Sequence, residues 1–319
     1  MRIVSLDEIH AASDLDQIFA AVRAGFVALS QGQVTLAAVG YLPFPDQGGD
    51  CHIKAAAMAG AEVYAVKIAS TFAANAKSGL RTSDGMIALF NARTGAPLAL
   101  LEDRGWLTDL RTGVAGAIAA KAILPEGAQT VGIIGTGIQA KLHAQLVASH
   151  CGIDRVILWG RRRDDADRLV TELAPEIGEV QAVSSIEALV STSDLVITTT
   201  PARTPLLTAA MFDRPARIVA VGADAPGKQE IATDLCAGID LLIADSREQC
   251  LDHGELTHPY RAGLITAERV QELGAFLADA APIAPDCSVL VDLTGVGVQD
   301  LQIAAAVWHK LTQRPGQAA

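Results

Sequence analysis

Hydrophobic positions follow different patterns in two stretches of the chain. From about Thr112 onward they form short unbroken runs at 130–134, 155–159, 195–199, 218–221, 241–244 and 288–293. Segments 114–124, before the first run, and 138–149, after it, carry apolar residues at helical spacing. Continuous apolar strands alternating with amphipathic helices predict a parallel sheet covered on both faces. Upstream of about Leu110 the pattern is mixed, with a helical stretch at 15–29 and strand-like runs at 63–68 and 86–91 separated by Gly and Asn turns. That part reads as α+β. There is no internal repeat or low-complexity segment, and the tail at 313–319 is expected to fray.

The 319 residues, half of them hydrophobic, are enough for two domains with a sizeable core. A formal charge of -11 argues against nucleic acid or an anionic membrane as partner, since either favours a basic face. Asp7 and Glu8 stand where a signal peptide needs an apolar core, and no apolar run reaches membrane-spanning length. A cytoplasmic protein is expected. The cysteines, Cys51, Cys151, Cys236, Cys250 and Cys287, are widely spaced without a Cys-x-x-Cys pair, so they read as reduced thiols with no metal role.

Gly135-Thr136-Gly137-Ile138-Gln139-Ala140 is a G-x-G-x-x-A pattern placed between a predicted strand and a predicted helix. Gly135 permits a tight turn, Gly137 lets the backbone approach a pyrophosphate, and Ala140 keeps the helix close to the sheet. The helix N-terminus adds free N–H groups for the phosphates. The next strand should end in an acid for the adenosine ribose, yet it runs into Gly160 followed by Arg161, Arg162 and Arg163. Arginines there suit a 2′-phosphate, which favours NADP(H) without excluding NAD(H); they are equally able to stack on adenine or face solvent.

Beside that fingerprint, three further motifs occur in order: Gly105-Trp106-Leu107-Thr108-Asp109-Leu110-Arg111-Thr112-Gly113, Val221-Gly222-Ala223-Asp224-Ala225-Pro226-Gly227-Lys228-Gln229-Glu230, and Asp292-Leu293-Thr294-Gly295-Val296-Gly297-Val298-Gln299-Asp300. Together the four motifs resemble the ornithine cyclodeaminase/μ-crystallin family. The resemblance implies an α/β fold in which a Rossmann dinucleotide-binding domain, 116–295, is inserted into a smaller α+β substrate-binding and dimerisation domain, 1–115 plus 296–319. It also implies a homodimer, and an activity drawn from ornithine cyclodeaminase, alanine dehydrogenase, ketimine, pyrroline-carboxylate and iminosuccinate reductases, or hormone-binding crystallin.

Lys67 ends an apolar run where a charge is costly unless an anion meets it. The resemblance gives it the substrate carboxylate or the reacting nitrogen; alone, it reads as a lysine snorkelling from a strand end. Arg111, at the start of a helix, matches the family arginine that grips the α-carboxylate by two prongs, and Thr112 beside it suits a helix cap or a cofactor phosphate. Asp224 follows a buried strand and matches the family aspartate that exchanges a proton with the substrate amine; a turn aspartate bonding its own backbone is the structural alternative. Thr199, Thr200 and Val221 are expected near the cofactor, Leu293 and Gly295 beside the nicotinamide, and His253 near the rim as a structural histidine.

Several relatives carry an arginine in a Pro-Pro-Arg stretch after the first helix, where this chain has Leu36-Ala37-Ala38-Val39-Gly40-Tyr41. Nearby, His52 and Lys54 would share a face if their segment is extended, and Lys54 is placed to take over part of the carboxylate contact. The expected activity is NAD(P)H-dependent reduction of a small α-imino acid, or the reverse oxidation. The alternatives are cyclodeamination of ornithine to proline and ammonia, and a non-catalytic crystallin-type protein that binds NADP and a carboxylated ligand.

Overall fold

A computed structural model describes residues 1–313, so nearly all of the tail expected to fray lies outside the described residues. The chain divides into two compact units, Met1–Arg111 with the segment from Val296, and Thr112–Gly295. The first opens with β1 (Arg2–Val4), α1 (Leu6–Ala12) and α2 (Leu15–Ser30), followed by β2 (Val34–Leu36), β3 (Gly40–Phe44), β4 (Gly49–Met58), β5 (Val63–Phe72), β6 (Ser83–Asn91) and β7 (Pro97–Leu101). Ser5 and Glu8 close a reciprocal capping box at the start of α1. Ile18, Val22 and Phe26 form a buried stripe along α2 at four-residue spacing, each worth roughly 1.5–3 kcal/mol of burial. The sheet runs β1-β7-β6-β5-β4-β2, with β3 also paired to β4.

Helix α3 (Trp106–Ile123) leads into the second unit. It starts eight residues before the expected 114, because Asp103 Oδ2 accepts the Leu107 N–H at 2.9 Å and Gly105, at φ 81, turns the chain into the helix. The second unit continues with β8 (Thr130–Ile134), α4 (Ile138–Cys151), β9 (Arg155–Trp159), α5 (Arg163–Leu173), β10 (Glu179–Ala182), α6 (Ile186–Thr192), β11 (Leu195–Thr198) and β12 (Arg217–Ala220). It ends with α7 (Thr233–Gly238), β13 (Leu241–Ala244), α8 (Arg247–His253), α9 (Thr257–Arg261), β14 (Val270–Glu272), α10 (Leu273–Asp279) and β15 (Val289–Asp292). The chain then returns to the first unit as α11 (Gly297–Thr312).

All pairings in the second sheet are parallel, in the order β10-β9-β8-β11-β12-β15-β13-β14. Strands β8, β11, β12 and β15 are buried at every residue, which is why they read as unbroken apolar runs. From β8 the chain builds outward to β9 and β10, then crosses to β11 on the other side of β8. This is the doubly wound, Rossmann-type α/β arrangement, and its switch point lies at the carboxyl ends of β8 and β11. No helix among the described residues is long and apolar enough to cross a membrane.

Candidate active site

The first unit brings three cations together. Strands β4 and β5 pair antiparallel with Lys54 opposite Lys67, so both side chains leave one face of the sheet. Both are buried, an arrangement of like charges that costs stability unless anions compensate. The compensation comes from the first turn of α11. Asp300 Oδ1 accepts from Lys67 Nζ at 2.9 Å and lies 3.1 Å from Arg111 Nε, and Gln299 Oε1 accepts from Arg111 Nη1 at 2.7 Å.

Burial pulls the Lys67 ammonium down to about 7; repulsion from Arg111 and Lys54 acts the same way and Asp300 opposes it. Burial alone would raise the Asp300 carboxyl, but Lys67, Arg111 and Lys54 hold it below the usual carboxylate range. Asp103, beneath α3, is raised by burial, with the Leu107 amide and the Lys67 charge partly offsetting this. Lys54, Lys67 and Arg111 thus gather around the Asp300 carboxylate, a concentration of basic groups suited to an anion.

Two expectations change, for Lys67 and for Arg111 with Thr112. Lys67 lies in the middle of β5, which runs on to Phe72. Arg111 and Thr112 lie inside α3 rather than at its start, so Thr112 cannot cap the helix; Asp103 takes that role. His52 is half-buried and engaged locally, 3.6 Å from Asp50 and with its ring 5.0 Å from that of Tyr41. Neither β2 nor β3 supplies an arginine in place of the missing Pro-Pro-Arg contact.

In the second unit the glycine motif forms the turn between β8 and α4. Gly135 has φ 135, and a Cβ there would collide with Thr199 Oγ1, which donates to Ile134 O at 3.1 Å. Gly137 is the N-cap of α4 with extended backbone; no side chain caps it, and a Cβ there would meet nothing within 4 Å. Thr136 packs its methyl toward Gly160, Ile138 is exposed on the first turn, Gln139 is half-buried, and Ala140 is fully buried against the sheet. Open space before an uncapped helix N-terminus fits a pyrophosphate.

Past the end of β9, Arg161, Arg162 and Arg163 are exposed. Arg162 pairs with Asp165 and Arg163 with Asp167 along α5, so Arg162 already has an acid partner.

Beyond β11 and β12 a buried carboxylate organises the backbone. Glu230 accepts from Thr198 Oγ1, Thr200 N and Thr200 Oγ1, each at 2.7 Å, and from Gly222 N at 2.9 Å. Glu255 in turn accepts from the amides of Glu230 and Ile231. Val221 is buried and bonds back to Thr198 O, while Asp224 stands on the exposed turn that follows, paired with Lys228. Beside β15, Asp245 accepts from Thr294 Oγ1 at 3.1 Å and Gly295 N at 2.7 Å, and Leu293 is buried. His253 is mostly buried, 3.1 Å from Asp252.

Burial raises Glu255 to about 9, with Asp292 adding to the effect, and raises Asp292 to about 7. Asp103, Gln299 and Asp300 in the first unit, and Glu230, Asp245 and Glu255 in the second, carry no role that their sequence alone reveals. Glu230 and Asp300 each close a quoted motif, and an acid ending a largely apolar motif was the available signal.

Comparison with known proteins agrees with this geometry. Iminosuccinate reductase of Paracoccus denitrificans is 33% identical over 250 residues, covering 78% of this chain and 77% of that protein. The crystal structure of that enzyme in complex with NAD+ matches with a TM-score of 0.89 at 30% identity, over 98% of this chain and 96% of the other. Delta(1)-pyrroline-2-carboxylate reductase of Bacillus thuringiensis subsp. konkukian is 28% identical over 318 residues, 98% of this chain and 97% of that protein. An archaeal alanine dehydrogenase dimer with bound NAD matches with a TM-score of 0.90 at 26% identity, over 99% of this chain and 98% of that one. The sequence model of one family matches residues 2–314, nearly the whole chain, and this protein belongs to that family, the ornithine cyclodeaminase/mu-crystallin family.

Proposed function

We propose that this protein is an NAD(P)-dependent oxidoreductase that reduces a small α-imino acid to the L-amino acid, or runs the reverse oxidation. The observation that carries the reading is the buried pair of Lys67 and Arg111, held by Asp300, whose ammonium and guanidinium carry more donors than Asp300 and Gln299 take up. In this reading the pair receives the substrate's α-carboxylate, with Lys54 adding charge to the same site. His52 lies two residues before Lys54 on β4 and borders the substrate.

The open turn at Gly135–Gly137, the first turn of α4 with Ile138 and Gln139, and Thr112, Thr199, Thr200, Val221, Leu293 and Gly295 are proposed to hold the cofactor. Arg161 and Arg162 lie at its adenosine end. When bound, NAD(P)H supplies a hydride to the imine carbon. The nitrogen then needs a proton, and Asp224 is the group we assign to deliver it, exchanging Lys228 for the substrate amine. Reduction thus consumes one hydride and one proton per C=N bond.

We further propose a homodimer. Strands β3, β5 and β6 leave Tyr41, Leu42, Ile68 and Met86 exposed, apolar surface that a second copy would cover, and one solved relative is a dimer. Light scattering at working concentration tests this.

The activity is tested by following NADH and NADPH consumption with pyruvate or oxaloacetate plus ammonia and with cyclic pyrroline and piperideine carboxylates. Oxidation of either cofactor dependent on the imine is expected. Ammonia release from ornithine with no net change in cofactor would establish the cyclodeaminase activity instead, and ligand binding without turnover the crystallin-type role.

A further inference from the structure

Asp300 has no part in the reduction as set out above, yet both substrate-facing cations rest on it. Its Oδ1 receives Lys67 Nζ from β5 at 2.9 Å and stands 3.1 Å from Arg111 Nε on α3, and all three side chains are at least nine-tenths buried. Gln299, one residue earlier on α11, accepts from Arg111 Nη1 at 2.7 Å. The charged groups that act on Lys67 from the elements packed around it are Lys54 on β4, Arg111 on α3, Asp103 before α3, and Asp300. Its cross-strand neighbour on β6 is the apolar Ile87. Asp103 already accepts the Leu107 amide, so Asp300 is the acid bonded directly to the lysine.

We propose, resting on the reading above, that Asp300 is a positioning residue for the reduction: it holds the Lys67 ammonium and the Arg111 guanidinium in one fixed arrangement and keeps the lysine charged for the substrate carboxylate. Lys67 spends one donor on Asp300 and Arg111 one on Gln299, while Arg111 Nε faces the Asp300 carboxylate as an ion pair. An ammonium has three donors and a guanidinium five, so donors remain for a substrate carboxylate. Desolvation, Arg111 and Lys54 all favour a neutral Lys67, and Asp300 opposes them. A neutral amine would still accept a hydrogen bond but would no longer attract an anion.

The test is Asp300→Asn in the full-length enzyme, which keeps shape and an acceptor oxygen but removes the charge. The alkaline limb of kcat/KM for the imine should move at least about one pH unit downward, a change of tenfold in the lysine's proton affinity. At about pH 8 the KM for the imine should rise roughly tenfold, with kcat changed less and cofactor Kd unchanged. Asp300→Glu, which restores the charge, should recover the wild-type limb.

An unmoved pH profile accompanied only by a lower Tm would show a purely structural role and overturn the proposal. Should Asp300→Asn fail to fold, it is tested in the Lys67→Met background, where the buried cation is removed with its partner. There Asp300→Asn should leave the pH profile of kcat/KM unmoved, because no lysine remains for it to keep charged, and a downward move of about one pH unit would overturn the proposal. Titration of the Lys67 amine by heteronuclear NMR in wild type and variant needs no turnover. A lowered titration in the variant supports the placement even if no imine is reduced, and an unchanged one sinks it.

Discussion

Gly135 and Gly137 belong to one motif but should fail in opposite ways. At Gly135 the backbone has φ 135, and an added methyl would push into Thr199 Oγ1 and break its bond to Ile134 O. The backbone strain costs about 1–3 kcal/mol and the lost hydrogen bond about 1 kcal/mol. Gly135→Ala should therefore destabilise by about 2–4 kcal/mol, lowering Tm by roughly 5–15 °C for a domain of this size.

At Gly137, φ -87 and ψ -172 suit any L-residue, and the space around a Cβ is open. Gly137→Val should cost no more than about 1 kcal/mol as a poorer N-cap. A pyrophosphate occupying that space would lose two or so charge-assisted hydrogen bonds, about 3–6 kcal/mol, or roughly 10²–10⁴ in cofactor Kd. Calorimetric titration of NADH and NADPH and thermal melts with and without cofactor separate the two effects. Wild-type cofactor affinity in Gly137→Val, or wild-type Tm in Gly135→Ala, would refute the assignment of these glycines.

Asp224→Asn should retain cofactor affinity while kcat and kcat/KM fall together by roughly 10²–10⁴; near-normal kcat with raised KM would reduce Asp224 to a substrate contact. Arg161→Ala with Arg162→Ala should weaken NADPH more than NADH, by about 1.5–3 kcal/mol per charged hydrogen bond lost, and equal losses for both cofactors would point to adenine stacking. Glu255 carries a pH signature, because its folded value is raised to about 9 and an unfolded glutamate titrates near 4.5. Between those values the folded protein holds a proton that the unfolded chain has released. The stabilisation is whole below the unfolded value and lost as pH rises through the folded one. The stability advantage of wild type over Glu255→Gln should thus shrink from pH 4.5 to 9, by up to about 1.4 kcal/mol per unit, and parallel denaturant curves at pH 5 and 9 would contradict it.

Most of the second unit was legible because its strands are buried on both faces: β8, β9 and β13 have the bounds that their apolar runs predict. The edge strand β10 was missed because Glu179-Val180-Gln181-Ala182 has too few apolar residues to form such a run. In the first unit β4 was read only as an extended stretch near Lys54, since its Gly, Asp, His and Lys residues break the alternation of a half-buried strand. The early start of α3 depends on Asp103, whose acceptor reaches four residues along the chain. The partners of the candidate site were hidden for another reason. Lys67 and Asp300 lie 233 residues apart, and Arg111 and Gln299 188, so neither pairing leaves a local pattern.

The return of the chain into the first unit sets an order on biosynthesis. The second unit is continuous in sequence and can fold once Gly295 has left the ribosome, while the first lacks α11 until Gly297–Thr312 has followed. Until then the inner faces of α2, β4 and β5 have no α11 to cover them, and the nascent chain carries exposed apolar surface that chaperones would recognise. Lys67 and Arg111 meanwhile remain hydrated and charged at little cost. The same helix that excludes water from them delivers Gln299 and Asp300, so desolvation and pairing arrive in one event and the cations need not pass through a dry, unpaired state. A chain cut before α11 would keep the complete sequence of the second unit while losing both the cover and the acid on which its buried cations depend.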